Sequence, residues 1–208
     1  MSQCGQDQWL IDRIFHHKRQ GVFVEVGAND GITYSNTLLL ENKYDWTGML
    51  IEPHPLAFAT LKKNRPKCLL VNKAVSTQTQ NVPFQCINGY SEMLSGMVHT
   101  YDSRHQARIA RELNEKRGTS SVISVETVSL RDLFQKYDIR HIDYLSIDVE
   151  GAEQEVLDTI DFSQVTIDVI GVEVNYPEFQ DPLETWMKQR NYAFLKKKGD
   201  DCFFSYSI

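Results

Sequence analysis

The densest chemistry in this sequence lies in Phe23-Val24-Glu25-Val26-Gly27-Ala28-Asn29-Asp30-Gly31, where an apolar run gives way to a glycine-rich turn. Gly27 and Gly31 can take positive φ and let the backbone approach a ligand closely. A strand that ends in such a turn and opens toward a helix puts the turn at the carboxyl edge of its sheet, where open α/β sheets bind ligands. The spacing is not GxGxxG, and Glu25 and Asp30 would repel a pyrophosphate. They suit a ligand carrying an ammonium and a sulfonium. Glu52 closes a second apolar run, Met49-Leu50-Ile51, about twenty residues after the glycines. An acidic side chain there accepts hydrogen bonds from both hydroxyls of a ribose. Turn and acid together predict an adenosine-bearing ligand.

A second chemical cluster follows later in the chain. Asp148-Val149-Glu150-Gly151 ends a buried strand across the switch point from the glycine turn. A positioned carboxylate at such an edge can take the proton of a bound hydroxyl. Asp148 and Glu150 are candidates, although an ordinary Asp, with a pKa of about 3.9, needs help. Asp148, Glu173 and Asn175 are hard oxygen ligands at the ends of adjacent strands and would suit Mg²⁺ or Mn²⁺. His99 is a further candidate base, because its ordinary pKa is near neutrality.

The elements that must position these groups alternate between strand and helix, the pattern of a mostly parallel sheet covered on both faces. Strands are predicted at Val22–Val26, Met49–Ile51, Cys68–Val75, Asp143–Asp148 and Thr166–Val174, with helices at Ser35–Lys43, Leu56–Asn64, Ala152–Ile160 and Leu183–Arg190. Ser129 is a predicted N-cap. Tyr192–Lys196 and Cys202–Tyr206 form a closing hairpin around Gly199-Asp200-Asp201. The alternation breaks at about 82–128, where two strands (Val82–Cys86, kept at an edge by Pro83, and Val122–Val128) flank a long polar stretch. Its helix, from about Asp102 to Lys116, carries a weak apolar stripe of Ala107, Ile109, Ala110 and Leu113. It reads as a lid or flank, and long insertions of this kind tend to be functional.

Composition bounds the rest. The 208 residues fit one domain, 1–208, with that insertion on the substrate side, and 41% apolar with 24% charged side chains is ordinary for a globular protein. No stretch is long and apolar enough to cross a membrane, and the first residues lack the regions of a signal peptide, so a cytoplasmic location is expected. Cys4, Cys68, Cys86 and Cys202 are too scattered for a zinc site or a disulfide framework. A net charge of −6 disfavours nucleic acid as a partner.

The sequence resembles the FkbM-type methyltransferases. The resemblance is carried by Ser2-Gln3 with Gln6-Asp7, Val24–Gly31, Ser35-Asn36-Thr37, Trp46–Pro53, Asn72-Lys73-Ala74-Val75 and Asp148–Glu153, in order along most of the chain. It implies the class I methyltransferase (Rossmann-like) fold, a doubly wound α/β sheet of seven mostly parallel strands whose last strand is antiparallel. It implies S-adenosylmethionine as cofactor and O-methylation of a hydroxyl on a sugar, in a glycan or a glycosylated small molecule. Glu25, Gly27, Ala28, Asn29, Asp30 and Gly31 would hold the methionine end, with Gln6 and Asp7 closing over it and Asn36 bracing the turn. Glu52 would hold the ribose, Pro53, Ala74 and Val75 would line the adenine, and Asp148 and Val149 would flank the cofactor. In the insertion, Tyr90 and Tyr101 would form a platform for a sugar ring, beside Ser95, Met97 and His105, with Asn175 also facing the acceptor. Tyr176 and Trp186 read as packing residues. The alternatives are an NAD-dependent oxidoreductase on a similar sheet and a catalytically silent adenosyl-binding module. The motifs start almost at Met1, which leaves room for a domain cut from a larger enzyme.

Overall fold

The computed structural model describes residues 2–207. Helix α1 (Gln6–Arg13) leads into β1 (Val22–Val26), α2 (Leu38–Tyr44), β2 (Thr47–Ile51), α3 (Pro55–Asn64) and β3 (Leu69–Val71). After β4 (Ala74–Val75), the insertion holds β5 (Asn81–Asn88), β6 (Gly96–Met97), α4 (Ser103–Lys116) and β7 (Thr119–Val128). Then come α5 (Leu130–Lys136), β8 (His141–Ile147), α6 (Glu153–Leu157), β9 (Thr166–Glu173), α7 (Gln180–Lys188), β10 (Tyr192–Lys198) and β11 (Asp201–Tyr206).

The main sheet has seven strands in the order β10-β11-β9-β8-β1-β2-β3. Strands β3, β2, β1, β8 and β9 are parallel neighbours, and β11 enters antiparallel between β9 and β10. This is the expected doubly wound sheet with its reversed last strand. Because both faces are covered, the strands are apolar on both sides. Val24, Val26, Ile51, Leu145, Ile147 and Val172 pack against α5, α6 and α7. Phe23, Leu50, Tyr144, Val169 and Phe203 pack against α1, α2 and α3. Each fully buried side chain of this size contributes about 1.5–3 kcal/mol. The neighbours of β1 are wound in opposite directions, which opens a crevice above the carboxyl ends of β1 and β8.

Local chemistry shifts some boundaries. The strand expected over Cys68–Val75 breaks in two, because the Asn72 side chain donates to the carbonyls of Glu52 and Pro53 at 2.8 and 3.1 Å. The chain turns there, and Ala74-Val75 leaves the main sheet to pair with β7 in a second sheet, β4-β7-β5-β6. The first helix after the glycine turn starts at Leu38, three residues late, because Ser35, Asn36 and Thr37 are bound to Glu25. Pro83 lies outside the two residues of β5 that β6 covers. Ser129 caps α5, its hydroxyl accepting the Asp132 N–H at 3.0 Å. In α4, Ile109 and Leu113 pack with Ile87, Leu94 and Tyr101, whereas Ala107 and Ala110 face solvent and His105 is buried instead. No helix among the described residues is long and apolar enough to cross a membrane.

Candidate active site

The glycine turn is pinned from both sides. The N–H groups of Gly27 and Ala28 donate to Ile51 O, and that of Asn29 donates to Glu52 Oε2 at 2.8 Å. On the other side, Asp148 N–H donates to Val26 O, and Gly27, at φ +87°, packs directly on the Asp148 backbone.

Beneath the turn lies a polar cluster. Glu25 accepts hydrogen bonds from the Ser35 and Thr37 hydroxyls and from Asn36 N–H. Burial raises its pKa, while the Arg65 guanidinium and these donors pull it back down. Arg65 is itself 1% exposed and reaches Glu41, Gly31 O, Ser35 Oγ and Thr37 Oγ1. Asn36 donates its side-chain amide to Ser146. Glu25, Arg65 and Asn36 therefore hold the shape of the turn from below.

Above the turn opens a cleft. Its apolar walls are Val26, Ile51, Pro53, Val75, Phe84 and Met97, and its polar groups include Asn29, Glu52, His54, Asp148 and Glu150. Burial pushes the Glu52 carboxyl up to about 7, opposed by hydrogen bonds from the N–H groups of His54 and Asn29. Asn29 Nδ2 and His54 Nε2 are buried without a hydrogen-bond partner among the described residues. Apolar walls, a fixed acid and two orphaned polar groups fit an adenosine-bearing ligand, whose base is apolar on its faces and whose sugar is rich in hydroxyls.

At the rim, Asp148, Glu150 and Glu173 bring one carboxylate oxygen each within 4.8 Å of the others. Burial is the main cause that raises all three: Asp148, also repelled by Glu173 and Glu150, lies well above its ordinary value, Glu150, also repelled by Glu173, at about 8, and Glu173, also repelled by Glu153 but eased by a hydrogen bond with Asp148, at about 7. Asp201, opposite Glu173 on β11, is pushed up to about 6, mainly by burial, and accepts from Gln6 Nε2 at 2.5 Å. Glu150 sits at φ +57° and is followed by Gly151 at +104°. Glu153 clamps this turn by accepting the N–H groups of Val149 and Gly151. Positive φ at a non-glycine is a strained arrangement that persists where the surroundings enforce it.

A second, larger hollow adjoins the cluster. Glu150, Glu173, Asn175 and His105 form one end, and Val172, Val174, Tyr176, Phe179, Pro182 and Leu183 form an apolar wall. Glu150 lines both spaces. His105 Nδ1 lies 3.4 Å from Glu150 Oε2, and its Nε2 lies 3.2 Å from Leu94 O.

The profile of the family described as "Methyltransferase FkbM domain" matches residues 25–194. This chain belongs to the FkbM methyltransferase family. The family is one of S-adenosylmethionine-dependent methyltransferases, which sets the oxidoreductase reading aside. Among solved structures, the FkbM methyltransferase from Methylobacillus flagellatus KT is similar in fold, with a TM-score of 0.54 at 12% identity. That match covers 90% of this chain and 44% of the other, so this FkbM domain spans less than half of it. The N-terminal domain of human METTL16 in complex with SAH gives 0.51 at 12% identity, covering 97% of this chain and 68% of that one. The human methyltransferase 10 domain containing protein gives 0.52 at 12%, covering 97% and 80%. No curated protein sequence matches this one significantly. One fold thus serves proteins of different names, and the acceptor class does not follow from it.

Gly27, Asn29, Glu52, Pro53, Ala74, Val75, Asp148, Val149, Glu150, Ser95 and Met97 all line the first cleft. Ala28 packs into the core below the turn. Asp30 spends its carboxylate on Ile32 and Thr33, and Asp7 on Ser2. Gly31 is covered by Leu61 and Arg65. None of these four, nor Gln6, Glu25 or Asn36, lines the cleft. Asn175 donates to Glu173 at 2.7 Å, and Glu150 takes its place in the three-carboxylate cluster.

In the insertion, His99 is half exposed and pairs with Glu155 outside both spaces, because it sits beyond the rim. Tyr90 is 78% exposed, with only Lys116 over its ring. Tyr101 is buried against His105 and donates to Leu94 O, so the two tyrosines form no common platform. The Ser95 hydroxyl is used by Ile87 N–H and Glu92 O. Tyr176, expected as packing, lines the second hollow, whereas Trp186 does pack, against Phe162. Sequence reasoning missed Phe84, His54, Arg65 and Phe179. The alternation of Val82, Phe84 and Cys86 carried a signal for the first, and the adjacency of His54 to Glu52-Pro53 for the second.

Proposed function

We propose that this FkbM domain binds S-adenosylmethionine in the first cleft and methylates a hydroxyl of a sugar-bearing small molecule held in the second hollow. The observation that carries this reading is Glu150, the one side chain among the described residues that lines both spaces. When bound, the cofactor supplies an electrophilic methyl on a sulfonium. Glu52 accepts from the ribose hydroxyls, Asn29 meets the methionine end, and Val75, Phe84 and Met97 enclose the adenine. The acceptor hydroxyl gives its proton to the carboxylate cluster, where pKa values near neutrality suit a general base. Asp148, Glu150 and Glu173 would hold Mg²⁺ or Mn²⁺, whose chemistry there is to acidify a hydroxyl.

The second hollow supports a neutral acceptor. Asp102, Glu150, Glu153 and Glu173 line it, and no Lys or Arg among the described residues does. Arg104 already stacks on the Tyr176 ring at 3.5 Å, and the half-exposed Phe179 offers a ring face for the C–H surface of a sugar or an apolar aglycone. Mass spectrometry with isotope-labelled methyl donor tests this on neutral glycosides, sugar phosphates and an oligoribonucleotide. The label is expected on the neutral glycosides. Transfer to the oligoribonucleotide would overturn the acceptor reading, and tight S-adenosylhomocysteine binding without any turnover would favour a silent binding module.

A further inference from the structure

We propose that His54 is a fixed hydrogen-bond donor to the nucleoside beside Glu52, with Nε2–H as the group that the ligand satisfies. The inference rests on the first cleft being the cofactor site.

His54 is the N-cap of α3. Its Nδ1 accepts the N–H of Leu56 at 3.2 Å and of Ala57 at 3.4 Å. A ring nitrogen that accepts carries no proton, so the hydrogen-bond network assigns the ring proton to Nε2. That nitrogen is therefore a donor. It is buried and has no partner among the described residues, on a residue 3% exposed that lines the cleft. Buried donors are rarely left unmade, since water cannot replace the missing acceptor. Turning the ring over to hide Nε2 would break both capping bonds.

The cap alone does not explain a histidine. Short oxygen-bearing side chains cap helices at least as well. What the ring adds is its second nitrogen. The His54 N–H also donates to Glu52 Oε1 at 2.6 Å, so ring and carboxylate are held as one unit. Glu52 can only accept when ionised, and His54 Nε2 can only donate. A ribose hydroxyl, which does both, or a base nitrogen beside it, matches that pair.

The test is calorimetric titration of S-adenosylhomocysteine and of adenosine into the parent, His54→Asn and His54→Phe. Asparagine retains an N-cap acceptor and removes the Nε2 donor. His54→Asn should melt with the parent yet bind both ligands about 10-fold more weakly, equivalent to about 1.4 kcal/mol. ¹⁵N NMR of the parent ring, which needs no variant, should show Nε2 protonated and its resonance moved by either ligand. Parent-like affinity in His54→Asn, or an Nε2 signal indifferent to ligand, overturns the proposal. A loss seen with S-adenosylhomocysteine but not adenosine overturns the assignment to the nucleoside. A parent that binds neither ligand refutes the cofactor site itself.

Discussion

A Cβ placed on Gly27 would fall 1.7 Å from the carbonyl oxygen of Asp148, so the glycine turn and the strand that carries the carboxylates interlock at this one contact. Backbone atoms cannot swing aside as a side chain can. Gly27→Ala, also strained at φ +87°, should cost about 3 kcal/mol or more and abolish binding of S-adenosylhomocysteine. Urea denaturation and calorimetry read the two losses; a parent-like midpoint would show that the interlock is dispensable.

Glu52 is fixed by two backbone N–H groups before any ligand arrives. Glu52→Ala should weaken S-adenosylhomocysteine about 10- to 100-fold, the loss of one or two hydrogen bonds to a charged acceptor. An unchanged dissociation constant would remove Glu52 from the ribose.

Arg65 neutralises Glu25 and Glu41 under the turn while almost wholly buried. Arg65→Met should destabilise by about 3–5 kcal/mol, because it leaves buried carboxylates without their cation. Thermal melting checks this. A stable Arg65→Met protein with full cofactor affinity would mean that the turn supports itself.

The carboxyl edge makes the ligand-free protein sensitive to alkali. Glu52, Glu150, Glu173 and Asp201 have folded pKa values raised, to about 7, 8, 7 and 6. Groups raised on folding contribute fully below their unfolded values and lose that contribution as pH climbs through the folded ones. Stability should therefore fall from about pH 4, near the unfolded values, to about pH 8, and Glu150→Gln should flatten that slope. Urea midpoints that rise or stay level across this range would contradict the assignment.

Asp148→Asn should keep cofactor affinity but lower turnover by about 100-fold or more. If the three carboxylates hold a divalent cation, EDTA should reproduce the loss and Mn²⁺ should reverse it. Full activity in EDTA would dismiss the cation while leaving the base.

Much of the architecture was legible in the chain because it depends on neighbours in sequence. Apolar runs, helix caps and the terminal hairpin are local properties, and so are a glycine turn at Val24–Gly31 and an acid at Glu52. These determined the doubly wound sheet and its ligand-binding edge. Tertiary structure alone decided what each polar group does. Glu25, which reads as a cofactor ligand, is used by Ser35, Asn36 and Thr37 over an Arg65 that no motif announces. His105 rather than His99 meets Glu150, because the packing of Ile109 and Leu113 turns that face of α4 inward. The three carboxylates converge from the ends of two strands that are neighbours only in the sheet. Such meetings are fixed by which surfaces must be buried together, and nothing in the spacing of residues along the chain encodes them.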